Sequence, residues 1–366
     1  MCKMYTLFVG FFCYIDAYSF MGVFYVFLIL LALLFILIVS FTILKKRMEY
    51  NKKIWLQTIA GLTSEAIFSD GEEVNVEMTE KMEILLRKTG FRNYLINELV
   101  KAKINLSGAS SQNLKKLYEL LKLDKDSCRK LNNGKGHIKA KGIQELAMME
   151  QIKYVKKIFK LTNSTNELVR NEAQCALVGF YGFLGLRFLN VTTYPISQWQ
   201  QIQLLYKLNK MVATDFEPLK KWLHSSNESV VIFSLKLAAY YNCNNIYTDI
   251  INCLQSPSQS VKLYALKYLK KMPEEDSADQ IINNYFSADN TYKLAVLDAL
   301  IIIGTEKQIP FVLSQLRNDD DEIKAAAATC LSQLHPSGAA FLQTHYFADE
   351  NPWKAIFLQL KTNRAA

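Results

Sequence analysis

Glycine and proline are scarce in this chain, 14 and 7 of 366 residues, and no stretch alternates apolar and polar residues with the period of two expected of a strand. That excludes a turn-rich sandwich or barrel and leaves helices joined by short connections. Thiol and metal chemistry is equally thin. The four histidines (His137, His224, His335, His345) and seven cysteines (Cys2, Cys13, Cys128, Cys175, Cys243, Cys253, Cys330) form no CxxC, no HExxH and no paired His–Cys spacing. An odd cysteine count, with several thiols on apolar helix faces, predicts reduced buried thiols and no disulfide framework or zinc site. No Gly-x-Ser-x-Gly occurs, and Asn132–Gly136 (NNGKG) lacks the strand and the Lys-Ser/Thr of a phosphate loop. From these absences we expect no catalytic residue, cofactor, metal or small-molecule substrate.

A net excess of charge is missing from the second half. Residues 1–53 carry a net +4, residues 54–160 a net +6, and residues 161–366 a net −1. Nucleic acid is a poor match for a half with no net basic surface to offer phosphates. The basic excess sits instead beside the longest apolar run, Phe20–Leu44 (FMGVFYVFLILLALLFILIVSFTIL), which has no charged residue anywhere along it. As a helix this run extends roughly 37 Å at about 1.5 Å per residue, enough for a hydrocarbon core of about 30 Å. It is too long for a signal-peptide core, and no small-residue cleavage pattern follows it. We read residues 20–44 as one transmembrane helix. Lys45, Lys46, Arg47, Lys52 and Lys53 follow directly, against Lys3 and Asp16 before it. The positive-inside rule therefore expects a single-pass cell (inner) membrane protein with residues 1–19 outside and the C-terminal part in the cytoplasm. Met21 at the edge of the span is an alternative start.

Residues 45–136 read as a basic juxtamembrane and helical region. Ile54, Trp55, Ile59 and Leu62 have helical spacing, with Trp55 either an interfacial anchor or a core residue. Ser69–Val76 is the best linker. Further helices are expected at Glu80–Thr89, Phe91–Lys103 and Gln112–Leu123.

From residue 137 to 366 a unit recurs about eight times. Taking one anchor residue per unit gives Ile138, Val169, Trp199, Val230, Val261, Tyr292, Ile323 and Trp353, a nearly constant spacing that marks a repeat array. Three positions before the anchor stand Asn166, Asn227, Ser258, Asp289 and Asp320, all residues whose side chains cap helix amides. One position after it is a base in six of eight units, including Arg170, Lys262, Lys293 and Lys324. Four after it come Gly142, Ala173, Ser234, Ala265 and Ala327, and eight after it Leu146, Leu177, Leu269, Leu300 and Leu331. Anchor, fourth and eighth positions share one helix face and should bury together. A second helix completes each unit, easiest to see at Asn245–Gln255, Ser277–Phe286, Glu306–Arg317 and Ala339–Phe347. Pro218, Pro273, Pro310 and Pro336 lie near the starts of such helices, where a missing amide is tolerated. Two features admit two readings. The acidic run Asp319–Glu322 is a cation site or a favourable charge at a helix start. Val178–Leu189 (VGFYGFLGLRFL) is a tightly packed helix end and turn or an exposed apolar patch.

The run Asn/Asp-x-x-Val-Arg-x-x-Ala-x-x-x-Leu, seen as Asn166, Val169, Arg170, Ala173, Leu177 and again as Asp320, Ile323, Lys324, Ala327, Leu331, resembles the HEAT repeat superfamily, in particular its short bacterial phycobilisome-lyase-type form. Trp199 and Val230 head degenerate units that depart from it. The resemblance implies an all-α, right-handed α-α superhelix, a HEAT-like solenoid, here preceded by one transmembrane helix. It also implies a non-enzymatic scaffold that binds a protein partner, one that the anchor makes membrane-associated. The lyase chemistry of some relatives has no matching residues here. Arg170, Lys262, Lys293 and Lys324 are the candidate partner-binding residues, unless the basic ladder pairs structurally with acidic or amide neighbours in adjacent units. Alternatives are a subunit or regulator of a membrane-associated lyase-like or glycosyltransferase-type enzyme, or a tether sensing anionic lipid.

Overall fold

In a computed structural model, residues 2–69, 78–208, 216–346 and 351–365 are described, with side chains for 21–360 within those ranges. Every regular element among the described residues is helical. The chain divides into two compact units, residues 1–126 and 127–366.

In the first unit, α1 runs unbroken over Cys2–Ile67. From Met21 to Tyr50 every side chain is exposed, the apolar ones and Lys45, Lys46 and Arg47 alike, and Lys52 and Lys53 continue the exposed basic stretch. By length and composition this part of α1 is able to cross a membrane. Its last turns behave differently. Ile59, Leu62 and Ala66 are buried, and the helix packs on α3 (Thr89–Ile104) and α4 (Gly108–Leu120). Trp55 makes an edge-on contact with Phe91, ring centroids 5.8 Å apart, so this indole is a packing residue. Between α1 and α3 lies α2 (Glu80–Leu86), capped by Thr79; most of the linker expected at Ser69–Val76 lies outside the described residues. Arg92 closes the bundle. Its guanidinium donates to the Asp126 carboxylate and to the carbonyls of Leu121 and Lys122, satisfying acceptors that the end of α4 leaves open. Helix α5 (Asp124–Asn133) spans the division between the two units.

The second unit is a stack of helix pairs around one continuous apolar core. Its longer helices are α6 (Gly136–Met148), α8 (Glu167–Tyr181), α9 (Gln198–Leu208), α11 (Glu228–Tyr241), α13 (Gln259–Lys271), α15 (Asn290–Ile303), α17 (Asp321–Leu334) and α19 (Trp353–Ala365). The shorter partners are α7 (Val155–Phe159), α10 (Glu217–Leu223), α12 (Tyr247–Cys253), α14 (Ser277–Asn283), α16 (Ile309–Gln315) and α18 (Gly338–His345). The repeat columns do the work expected of them. Val169, Val230, Val261, Tyr292 and Ile323 are buried, as are all five small residues and all five leucines named above. Gly142 shows why the fourth position is small: a Cβ there would sit 2.7 Å from the Ser127 carbonyl of α5. The five expected caps all accept from first-turn amides, as in Ser258 from Val261 at 3.3 Å and Asn166 from Val169 at 3.1 Å.

The array departs from its own pattern in two places. Where a second α-helix should follow α8, residues Gly182–Val191 form a 3₁₀ helix, far longer than the usual single turn. Up to its last residue, the exposed Val191, its exposed residues fall every third position, at Leu184, Arg187 and Asn190, matching the turn of such a helix, while Phe183, Leu186, Phe188 and Leu189 are buried. Gly185 is pressed so closely on the Leu177 carbonyl that a Cβ would lie 2.2 Å from it. This segment is therefore tightly packed, and most of its apolar side chains are in the core.

The second departure corrects the repeat register. Trp199, expected as a buried anchor, is 67% exposed, whereas Gln200 is 1% exposed. Gln200, Leu204 and Leu208 form the buried stripe, and Ser197 accepts from the Gln200 amide at 3.2 Å. Cap, anchor, fourth and eighth positions all line up one place later than the sequence suggests. Val169 to Gln200 is one regular repeat interval, so the shortened interval falls after Gln200. One residue is about 100° around a helix, and that rotation turns Trp199 outward with Ile202 and Tyr206. Ile138, in the first turn of α6, is also exposed, at 40%.

Candidate functional site: a furrow across three repeats

Among the candidate residues of the basic ladder, each is occupied by its own chain. Arg170 is 8% exposed; it donates to the Ser164 carbonyl at 2.7 Å and its guanidinium lies 4.6 Å from the Tyr194 ring centroid. Lys262 lies 6.0 Å from the ring of Tyr292, the next unit's anchor, and Lys293 lies 5.9 Å from that of Tyr285. Lys324 pairs with Asp321 at 2.8 Å, one turn back. The ladder thus meets aromatic rings, loop carbonyls and a carboxylate of its own helix. Cation–π contacts of this kind contribute about 0.5–1 kcal/mol at accessible sites.

A concavity lies elsewhere, over the solvent-facing sides of α9, α11 and α13. It is a furrow of about 670 Å³. Gln198 and Gln201 come from α9, Ser229, Ile232 and Lys236 from α11, and Ser260 and Tyr264 from α13, while Thr193, Pro195 and Ile196 close one end. The loops that build it are fixed by bonds between units. Asn227 caps α11 with its oxygen and donates through Nδ2 to the carbonyls of Thr192 and Tyr194, and Ser229 Oγ accepts from the Ile196 amide at 2.8 Å. Lys236 donates to Gln201 Oε1 at 2.8 Å. Its ammonium and that of Lys267 each lie 4.8 Å from the Tyr264 ring centroid, so two cations share one ring. Glu228 stands at the lip. On the flank of α9 that borders the furrow, Trp199, Ile202 and Tyr206 form an exposed stripe at helical spacing.

From sequence, only the aromatics Trp199, Tyr206 and Tyr264 stand out here, as anchors for a groove or as core residues; the polar and basic residues of the furrow do not. A usable signal existed: counted from the corrected anchors, Tyr206, Lys236 and Lys267 all occupy the sixth position after the anchor, an outward column unlike the buried fourth and eighth.

Three other groups of titratable side chains have structural explanations. Between α8 and α9, burial pushes the Glu172 carboxyl and the Cys175 thiol up, with Lys207 opposing both. Gln200 donates from Nε2 to the Asn171 carbonyl at 3.1 Å, and its own Oε1 is buried without a partner. The thiols of Cys243 and Cys253 are raised to about 11 and that of Cys330 to about 12 by burial, and the five described cysteines are free and buried. Thiols so shifted stay protonated and unreactive near neutral pH. Asp320 and Asp321 serve the start of α17: Asp320 Oδ1 accepts from the amides of Glu322 and Ile323. Among the described residues no three His, Cys, Asp or Glu side chains gather as a metal site.

Comparison with known proteins agrees with this architecture. The family model described as HEAT repeats matches residues 247–332, the stretch from α12 through most of α17. Three solved structures also match the chain. One is a chain of the Kap95p–RanGDP structure, with 13% identity, 79% of this chain and 47% of that chain covered, and a TM-score of 0.43. Human deoxyhypusine hydroxylase in complex with glycerol has 12% identity, 86% and 97% coverage and a TM-score of 0.29. The complex of CpcE and CpcF of phycocyanin lyase from Nostoc has 12% identity, 81% and 97% coverage and a TM-score of 0.25. This chain thus spans about half the length of the first of the three. No curated protein matches the sequence.

Proposed function

We propose that this HEAT-like repeat protein is a membrane-anchored, non-enzymatic scaffold that binds a membrane-associated protein through its repeat surface. The observation that carries the reading is the furrow across α9, α11 and α13, built from three consecutive units and held open by bonds between them. Repeat arrays offer extended surfaces of this kind, whose side chains vary while the core columns stay fixed. Partner contacts fall there and along the exposed stripe of α9, with the basic ladder of Arg170, Lys262, Lys293 and Lys324 as a second contact surface wherever a partner displaces the rings. The anchor is Phe20–Leu44 within α1. The five exposed bases that follow it support an orientation with the array in the cytoplasm at the cell membrane.

Two experiments test this. A photo-crosslinking residue placed at Ile202 or Ser260 of the full chain, in its native membranes, is expected to capture the same membrane-associated protein, and one placed at the exposed Ile302 of α15 is not. Capture that does not depend on position overturns the reading. Alkaline extraction is expected to leave the full chain in the membrane pellet and to release a chain lacking residues 20–44; release of both removes the anchor.

A further inference from the structure

The furrow has a chemistry more specific than a generic docking surface. Lys236 and Tyr264 line it, and the ammonium of Lys267, on the same helix as Tyr264, joins that of Lys236 at 4.8 Å from the Tyr264 ring centroid. Two other lysines of the array are neutralised: Lys270 pairs with Asp298 at 2.6 Å and Lys324 with Asp321 at 2.8 Å. Lys236 and Lys267 have no carboxylate partner among the described residues; the acceptor of Lys236 is the neutral amide of Gln201. Holding two like charges over the same ring is unfavourable, and only in part offset by the attraction of each to its face. Carboxylate charge paired to them offsets that cost.

The surroundings select among anions. The furrow carries too few cations to follow a nucleic-acid backbone, whose binding rests on many phosphate contacts. Its walls are hydroxyls and amides, from Thr193, Gln198, Ser226 and Ser260, which suit the alternating donors and acceptors of an extended peptide backbone. Beside it stand Trp199 and Ile202, exposed because of the register shift in α9, and large aromatic side chains next to a desolvated charge are typical of binding hot spots. We propose that the furrow seats an acidic segment of the partner protein, with carboxylate charge paired to Lys236 and Lys267 beside Tyr264 and an adjoining apolar side chain against Trp199 and Ile202. This rests on the scaffold reading above.

The test uses the full chain in detergent micelles and a short labelled peptide of alternating glutamate and leucine, followed by fluorescence anisotropy. Saturable binding is expected that weakens with added salt. Lys236→Ala with Lys267→Ala should weaken it about ten-fold, and Lys267→Glu alone, at an exposed position that the core does not need, by a similar factor. Lys236→Arg with Lys267→Arg should retain it. Tryptophan emission should shift to the blue on binding in the natural chain and not in Trp199→Phe. Equal binding of the natural chain and Lys267→Glu overturns the proposal, as does equal binding of a lysine–leucine peptide. So does binding to phosphatidylserine vesicles, and not to the acidic peptide, that is lost in the same variants. If the furrow crosslinks persist in Lys267→Glu, the scaffold reading survives and the acidic-segment proposal fails.

Discussion

Helices α9 and α13 are the same element, turned the same way to the core and filled with different residues. In α13, Ser258 caps the helix, Val261, Ala265 and Leu269 face the core, and the outward residues are lysines and Tyr264. In α9, Ser197 caps the helix, Gln200, Leu204 and Leu208 face the core, and the outward residues are Trp199, Ile202 and Tyr206. The cap and the eighth position are chemically the same. What differs is that α9 places an amide where α13 has valine and a leucine where α13 has alanine, and sends its tryptophan to solvent. An aliphatic anchor is therefore not what sets the helix rotation; the serine cap and the leucine at the eighth position set it together. Once rotation is fixed that way, the anchor position and its neighbour are free to trade a buried apolar group for an exposed aromatic one.

The sharpest way to break that comparison is to truncate one residue in each helix and follow thermal unfolding. Leu269→Ala in α13 is expected to cost about 3 kcal/mol, the range for a buried leucine, while Trp199→Ala in α9 should change stability by no more than about 0.5 kcal/mol. A large loss from Trp199→Ala would place that ring back in the core. Next in size is the simultaneous reversal of Lys262, Lys293 and Lys324 to glutamate, which removes two ring contacts and one ion pair. A loss of about 1–2 kcal/mol is expected, with crosslinking at Ile202 unchanged; lost crosslinking with unchanged stability would make the ladder the reading surface. Smaller still, Ser197→Ala and Ser258→Ala should each cost about 1 kcal/mol. Equality of the two tests the shifted register directly, because a helix anchored on Trp199 would have no use for Ser197. The smallest effect is expected for Glu172→Gln. Burial raises the Glu172 pKa, so the folded state holds this proton more tightly than the unfolded one. Stability from this group is therefore greatest below the ordinary glutamate pKa of about 4.3 and falls as pH rises through the raised folded value. The glutamine variant should melt slightly higher than the natural chain at neutral pH and lose that advantage in acid.

The columns that repeat were legible in sequence because each unit restates them: caps, small residues and leucines align by simple counting, and the packing of Gly142, Ala265 and Leu269 follows from their spacing alone. The register of α9 was not, because both Trp199 and Gln200 sit at acceptable intervals from their neighbours, and hydrophobicity favours tryptophan. Only the amide of Gln200 accepted by Ser197, a three-dimensional fact, decides it. The rings under the lysines were equally hidden. Tyr292 stands nearly a whole repeat beyond Lys262, Tyr194 lies in the loop after the next helix from Arg170, and nothing in a linear pattern says that a base prefers an aromatic face to a carboxylate. The furrow needed side chains from three units at once.

Several caps have two uses. Asp289 holds the first turn of α15 with one oxygen and accepts from Gln259 of the preceding unit with the other. Asp320 does the same for α17, accepting from Asn290 at 2.6 Å, and Asn227 reaches back to Thr192 and Tyr194. A unit of this array cannot fray without loosening the clasp of the unit before it. Amide protons at the starts of α11, α15 and α17 should therefore exchange in correlated blocks of two or more units, and under tension the array should yield in coupled steps, like a chain whose links are riveted in pairs.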